Sequence, residues 1–145
     1  MSKSRFWGMG LLAMLVAVQA GAANAQGGQE RFAARADEFR NSCASCHGSD
    51  GRGAGFLTRL FRGVDPGDLT QLSKNNDGVF PLDKVFDVID GREEVAAHGE
   101  RKMPVWGDRY MAQSMTRHGP GPMNEFVVRQ RVLELVYYIQ SIQEP

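Results

Sequence analysis

The run Cys43-Ala44-Ser45-Cys46-His47 constrains this chain more than any other feature of it. Two cysteines three apart, with a histidine directly after the second, form the spacing for covalent attachment of a c-type haem. On a single helical turn, positions i, i+3 and i+4 share a face. Both thiols then reach the two vinyl groups of one porphyrin as thioethers, and His47 points its imidazole at the iron as proximal ligand. A zinc site needs about four ligands, yet Cys43 and Cys46 are the only cysteines, and His98 and His118 lie far downstream. A thioredoxin-like pair calls for βαβ surroundings, which do not appear. A disulfide across two residues is strained and leaves His47 without a role. With both thiols taken by haem, no disulfide is expected.

The N-terminus reads independently as an export signal. Met1-Ser2-Lys3-Ser4-Arg5 is a positive n-region, Phe6 to Ala20 is apolar, and Ala23-Asn24-Ala25 is an A-x-A cleavage site. The apolar run is shorter than the ~20 residues of a spanning helix, and Gly8, Gly10 and Gln19 weaken it. Residues 1–25 are therefore expected to be a cleaved signal peptide, and 26–145 one small domain with no stable membrane anchor. The whole chain carries 17 basic and 17 acidic side chains. Losing Lys3 and Arg5 with the leader makes the remainder slightly acidic, which gives nucleic-acid binding no support.

Along the mature chain the hydrophobic pattern is helical and never alternates with period two over any sustained stretch. An all-α fold is expected. Gln29 to Cys46 reads as a helix through Phe32, Ala36, Phe39 and Cys43, stopped by Gly48. The glycines at 48, 51, 53 and 55 form a loop that lets backbone pass close to the macrocycle. Phe56 to Arg62 is ambiguous, with a short helix as one reading. Asp68 is placed to cap a short helix carrying Leu69 and Leu72. Leu82, Val85, Phe86 and Ile89 form a helical face ended by Gly91. Val95 to Tyr110 reads as mostly loop, and Met111 to Met123 as a polar segment of uncertain structure: a lid, a docking surface or a plain insertion. Asn124 looks like an N-cap, followed by Val128, Val132, Leu135, Ile139 and Ile142, the strongest amphipathic stretch present.

The second axial position has several candidates: Met103, Met111, Met115, Met123, His98 and His118. Met103 stands out within Arg101-Lys102-Met103-Pro104-Val105-Trp106-Gly107, because Pro104 fixes its own φ and biases Met103 towards an extended shape. Its flanks do not read as a buried stripe, whereas Met111, Met115 and Met123 read more simply as core filler. His98, five residues upstream, is a rival that loop movement would exchange with Met103.

Cys43-Ala44-Ser45-Cys46-His47-Gly48 near the mature N-terminus, Met103-Pro104 downstream and a terminal aromatic-bearing helix together resemble a class I monohaem cytochrome c of the small periplasmic bacterial type. The resemblance covers nearly all of Gln29 to Gln143. It implies three to five helices around one covalent haem c, with the first and last helices packed together through Phe39 and either Tyr137 or Tyr138. It implies thioethers at Cys43 and Cys46, His47 as proximal and Met103 as distal iron ligand, and haem attachment in the periplasm after export. One departure concerns the proline whose carbonyl receives the proximal imidazole N–H in the family, two residues before a leucine. Here Pro66 stands three before Leu69.

An iron closed by His and Met has no position free for substrate, which suits one-electron transfer and argues against enzymatic catalysis. The soft thioether favours the ferrous state. Transient redox proteins are the expected partners, with no small-molecule substrate. Arg92, Arg101 and Lys102 are candidates for a positive rim, with ordinary solvated charge as the competing reading. Trp106 has two readings, as a haem cover or propionate ligand and as a core residue. The alternative function is a haem subunit or dedicated electron acceptor of a larger periplasmic oxidoreductase, a dehydrogenase or oxidase.

Overall fold

The computed structural model describes residues 27–60, 65–92 and 103–145. The leader expected over 1–25 lies outside them, as do His98, Arg101 and Lys102. The chain divides into two compact units, Met1–Ala34 and Arg35–Pro145. Of the first, the described residues 27–34 are helical; every contact described below lies within the second.

The regular structure of the described residues is entirely helical, with no strand. Six α-helical segments occur among the described residues: α1 over residues 27–42, α2 Ala44–His47, α3 Phe56–Leu60, α4 Leu82–Asp90, α5 Trp106–His118 and α6 Met123–Ser141. The number exceeds three to five because the helix expected through Cys46 is interrupted at Cys43, and because α3 is only five residues long. The interruption is slight. Cys43 still donates its N–H to the Phe39 carbonyl at 2.8 Å. Gly48 and Gly91 stop α2 and α4 as the sequence suggests, each with positive φ. Asp68 caps a 3-10 turn at Leu69–Gln71, accepting from the Thr70 N–H at 2.9 Å.

Helix α6 is the organising element. Val128, Val132, Leu135 and Ile139 are buried on the stripe read from the sequence, with Val136 and Tyr138 beside them. It packs on α4 and α5, and α4 packs on α5. Against α1 it presents Tyr138, whose ring centroid lies 4.8 Å from that of fully buried Phe39. Of the two tyrosines expected at this crossing, Tyr138 is therefore the ring contact. Tyr137 is 40% exposed and lies under the Arg35 guanidinium, 5.3 Å from the ring centroid. Ion pairs flank the crossing, from Arg35 to Glu134 and from Arg131 to Glu38.

Two expectations need correction. Of the segment read as mostly loop, Val95 to Tyr110, the described part is helical from Trp106 onward, and that helix runs through to His118, which gives most of the uncertain segment Met111 to Met123 a structure. Trp106, Tyr110 and Ser114 recur every four residues and are buried; their polar neighbours and the following Gly119-Pro120-Gly121-Pro122 obscure that stripe. Asn124 is not the N-cap either. Helix α6 starts at Met123, with Pro122 in the N-cap place, two residues earlier than a cap at Asn124 would give. The buried Asn124 amide instead stitches the α5–α6 turn, donating to the Gly119 carbonyl at 2.8 Å and accepting from the Ser114 hydroxyl at 2.6 Å.

The C-terminal tail fastens the loop before α4. Glu144 N–H donates to the Thr70 carbonyl at 2.9 Å, and the Gln143 amide donates to the Leu69 carbonyl at 2.7 Å and accepts from the Ser73 N–H at 2.8 Å. No helix among the described residues is long and apolar enough to cross a membrane.

Phe39→Ala removes the ring that seats α1 on α6. A fully buried phenylalanine truncated to alanine costs about 3–5 kcal/mol, so the variant should unfold at clearly lower urea concentration than wild type. Arg40→Ala, whose partner Asp37 is also on the exposed face of α1, should change the midpoint little.

Candidate functional site

The site begins with Phe39. Because that ring is fixed against Tyr138, the end of α1 is fixed, and Cys43, four residues on, joins the hydrophobic core of the protein. The chain then makes one tight turn. Both the Cys46 and the His47 N–H groups donate to the Cys43 carbonyl, at 3.1 and 3.0 Å. The pattern Cys43, Cys46, His47 is thereby held on a single helical turn, and neither cysteine is in a disulfide.

The glycine loop after the turn returns along its back. Gly53 N–H donates to the His47 carbonyl at 2.8 Å and Gly55 N–H to the Cys46 carbonyl at 3.0 Å, satisfying carbonyls that a short helix leaves free. A Cβ on Gly55 would run into the backbone of Ser45 and Cys46. Among the described residues this loop passes close to the haem motif's own backbone. The loop is held from outside as well: Leu69 N–H donates to the Gly51 carbonyl at 2.8 Å, and Arg52 pairs with Glu144 of the tail.

Electrostatics distinguish the three motif residues. Burial pushes the Cys43 thiol up to about 12, with the nearby Glu38 carboxylate and Cys46 adding to it. Burial also lowers the His47 pKa, which favours the neutral imidazole, the form that ligates metal. His47 Nδ1 is buried and has no hydrogen-bond partner.

Met103 is half-buried and packs against the same apolar cluster that contains Cys43, together with Leu69, Leu72, Phe80, Leu82, Val85, Phe86, Met111 and Ile142. Met115 and Met123 are exposed and do not belong to it. Met111 shares that cluster from α5, so core packing distinguishes Met103 from Met115 and Met123 but not from Met111. Trp106 is 7% exposed and its ring centroid lies 5.7 Å from that of Tyr110, which is the core reading of that residue.

A family model for cytochrome c matches residues 25–143. The chain belongs to the cytochrome c family. No curated protein and no solved structure matches it. Membership makes this cytochrome c a haem-based electron-transfer protein with covalently bound haem c, on the all-α fold already described. The donors of the turn fit that group: two unpaired thiols on one turn for two thioethers, and a neutral imidazole next to the second.

The sequence offers Arg92 as a candidate for a positive rim, with ordinary solvated charge as the competing reading. In the fold it is instead engaged: its guanidinium donates to both carboxylate oxygens of Glu125, at 2.7 and 2.9 Å, and to Asp90 at 3.0 Å. Two networks went unread. One is this Asp90–Arg92–Glu125 group. The other joins α1, α5 and α6 behind Cys43: Glu38 accepts from the Tyr110 hydroxyl at 2.8 Å, from Arg131 at 3.0 Å and from Ser42 at 3.1 Å, and Arg131 lies 3.8 Å over the Tyr110 ring. The residues are polar and widely separated in sequence, so no periodicity marks them.

Burial pushes the Glu38 carboxyl upward, but the hydrogen bond from Tyr110 and the charge of Arg131 outweigh it, and the pKa falls below the ordinary 4.5. A depressed folded-state pKa contributes stability above the unfolded value and loses it as pH falls through the folded one. Glu38→Gln should therefore be less stable than wild type at neutral pH, and the gap should narrow only below pH ~4.5. Denaturant midpoints measured from pH 7 to 3 check this.

Proposed function

We propose that this cytochrome c is a periplasmic one-electron carrier with one haem c, attached through Cys43 and Cys46 and held axially by His47 and Met103. The observation that carries the reading is the turn itself: two unpaired thiols and a buried, neutral imidazole next to the second, fixed to the core through Phe39. Haem c, when bound, supplies the ferric/ferrous couple. The chain's residues do the rest. Cys43 and Cys46 prevent dissociation, and His47 offers an uncharged nitrogen. Met103 offers a soft sulfur that favours the ferrous state. With the iron held by both His47 and Met103, redox change would require no ligand movement, and the reading is of a carrier rather than an enzyme.

Export supports the periplasmic assignment. The leader pattern ends at Ala25, where the family match begins. The expected partners are other redox proteins meeting it in transient encounters. Protein recovered from the periplasm should begin at Gln26.

Met103→Ala should abolish the far-red thioether-to-ferric-iron absorption band and lower the reduction potential, and the reduced variant should bind carbon monoxide where wild type does not. Retention of band and potential in the variant would show that another side chain ligates the iron.

A further inference from the structure

Met103 lies on the two-residue approach to Val105, and the chain from Val105 onward is held by contacts that the axial ligand roles leave unexplained. Arg92, just past the end of α4, is 24% exposed at its side chain. It donates to both oxygens of Glu125 in the first turn of α6 and, through Nε, to both oxygens of Asp90, at 3.0 and 3.1 Å. Hydrogen bonds to Glu125 and Asp90 raise the Arg92 pKa, and the same bond from Arg92 lowers that of Glu125, so the charges persist at neutral pH. Asp90 itself is buried. Planar, bidentate pairing of this kind is geometrically specific in a way that lysine cannot reproduce.

The start of α5 rests on this group. A Cβ on Gly107 would strike Asp90 Oδ1, would come within 2.5 Å of Arg92 Nε and within 2.8 Å of the Asp90 carbonyl oxygen. From the α4 side, a Cβ on Gly91 would lie 3.4 Å from Val105 Cα. The backbone at 105–107 is thus pressed directly onto 90–92, with no room between them. Trp106, between the two contacts, is buried. Pro104 stiffens the short connection to Met103.

We propose that Asp90, Arg92 and Glu125, with Gly107 seated on them, form a clasp that positions Met103 as iron ligand. Arg92 is a positioning residue in this account. It acts by fixing the backbone that presents the thioether. The inference rests on Met103 being the distal ligand. Weakening the clasp lowers the fraction of molecules with Met103 in ligating position, and an added ligand competes more effectively in proportion.

Imidazole titration of the oxidised holoprotein, followed through the thioether band, tests this. Arg92→Gln, which removes the charge, and Gly107→Ala, which forces the clasp apart by bulk, should each bind imidazole about tenfold more tightly than wild type. Both should weaken the band and lower the potential; Arg92→Lys should recover part of the loss. Glu125→Gln, which leaves Arg92 one partner, should show the same direction to a smaller extent. Arg35→Gln breaks the Arg35–Glu134 pair elsewhere on α6 and should leave imidazole affinity at the wild-type value. Wild-type affinity and a full band in both Arg92→Gln and Gly107→Ala would overturn the clasp. So would an equal rise in affinity in Arg35→Gln, which would mean that any loss of stability frees the ligand. If Met103→Ala keeps the band, the ligand assignment falls and the clasp with it; if Met103→Ala loses the band while the clasp variants behave as wild type, the clasp alone falls.

Discussion

The seating of Phe39 on Tyr138 is the contact on which the rest of this cytochrome c depends. A helical turn bearing two thiols and an imidazole is short and has no core of its own. Its position comes from α1, and the position of α1 at that end comes from a fully buried ring held against the long terminal helix. Cys43 is one turn beyond Phe39 and already within the core. From there the glycine loop fixes the turn from behind by taking its carbonyls, and the C-terminal tail, through Gln143 and Glu144, fixes the segment at 69–73 to which that loop is bonded. The result is a chain of local constraints starting from one aromatic pair.

The proposed ligand Met103 is held through a different kind of force. The first half of the site rests on apolar packing and backbone hydrogen bonds. The approach to Met103 rests on a charged group, Asp90–Arg92–Glu125, joining the ends of α4 and α6 under the first turn of α5. A group of charges removed in part from water is costly unless every member is paired, and here each carboxylate has the guanidinium. On the proposed ligation, electron transfer would gain from such a frame, because ligands held in place before and after the redox step would not need to reorganise. The polar network at Glu38, Tyr110 and Arg131 has a parallel structural role, tying α1, α5 and α6 together immediately behind Cys43.

Much of this was legible in the sequence, and for identifiable reasons. The haem motif is defined by spacing alone. Helices α4 and α6 announce themselves by clean apolar stripes, and the α1–α6 crossing followed from the family's order of elements. Helix α5 was not legible: its buried face is made of Trp106, Gly107, Tyr110 and Ser114, of which a glycine and a serine carry no hydrophobic signal, and the Gly/Pro-rich turn behind it suggested irregular chain. Asn124 resembled a cap because its residue type and place are those of a cap; its amide is used instead across the turn, a choice that only the three-dimensional neighbours decide. Arg92 read as a surface charge because its partners are 2 and 33 residues away, and pairing over such distances leaves no local pattern.

The central claim is that Cys43 and Cys46 bind one haem covalently. Acid denaturation followed by tryptic digestion and mass measurement tests it most directly, since cleavage after Arg40 and Arg52 isolates the motif. The account predicts a single peptide, residues 41–52, carrying the mass of one haem that organic extraction does not remove. Haem released on denaturation, with that peptide recovered bearing two free thiols, would contradict it.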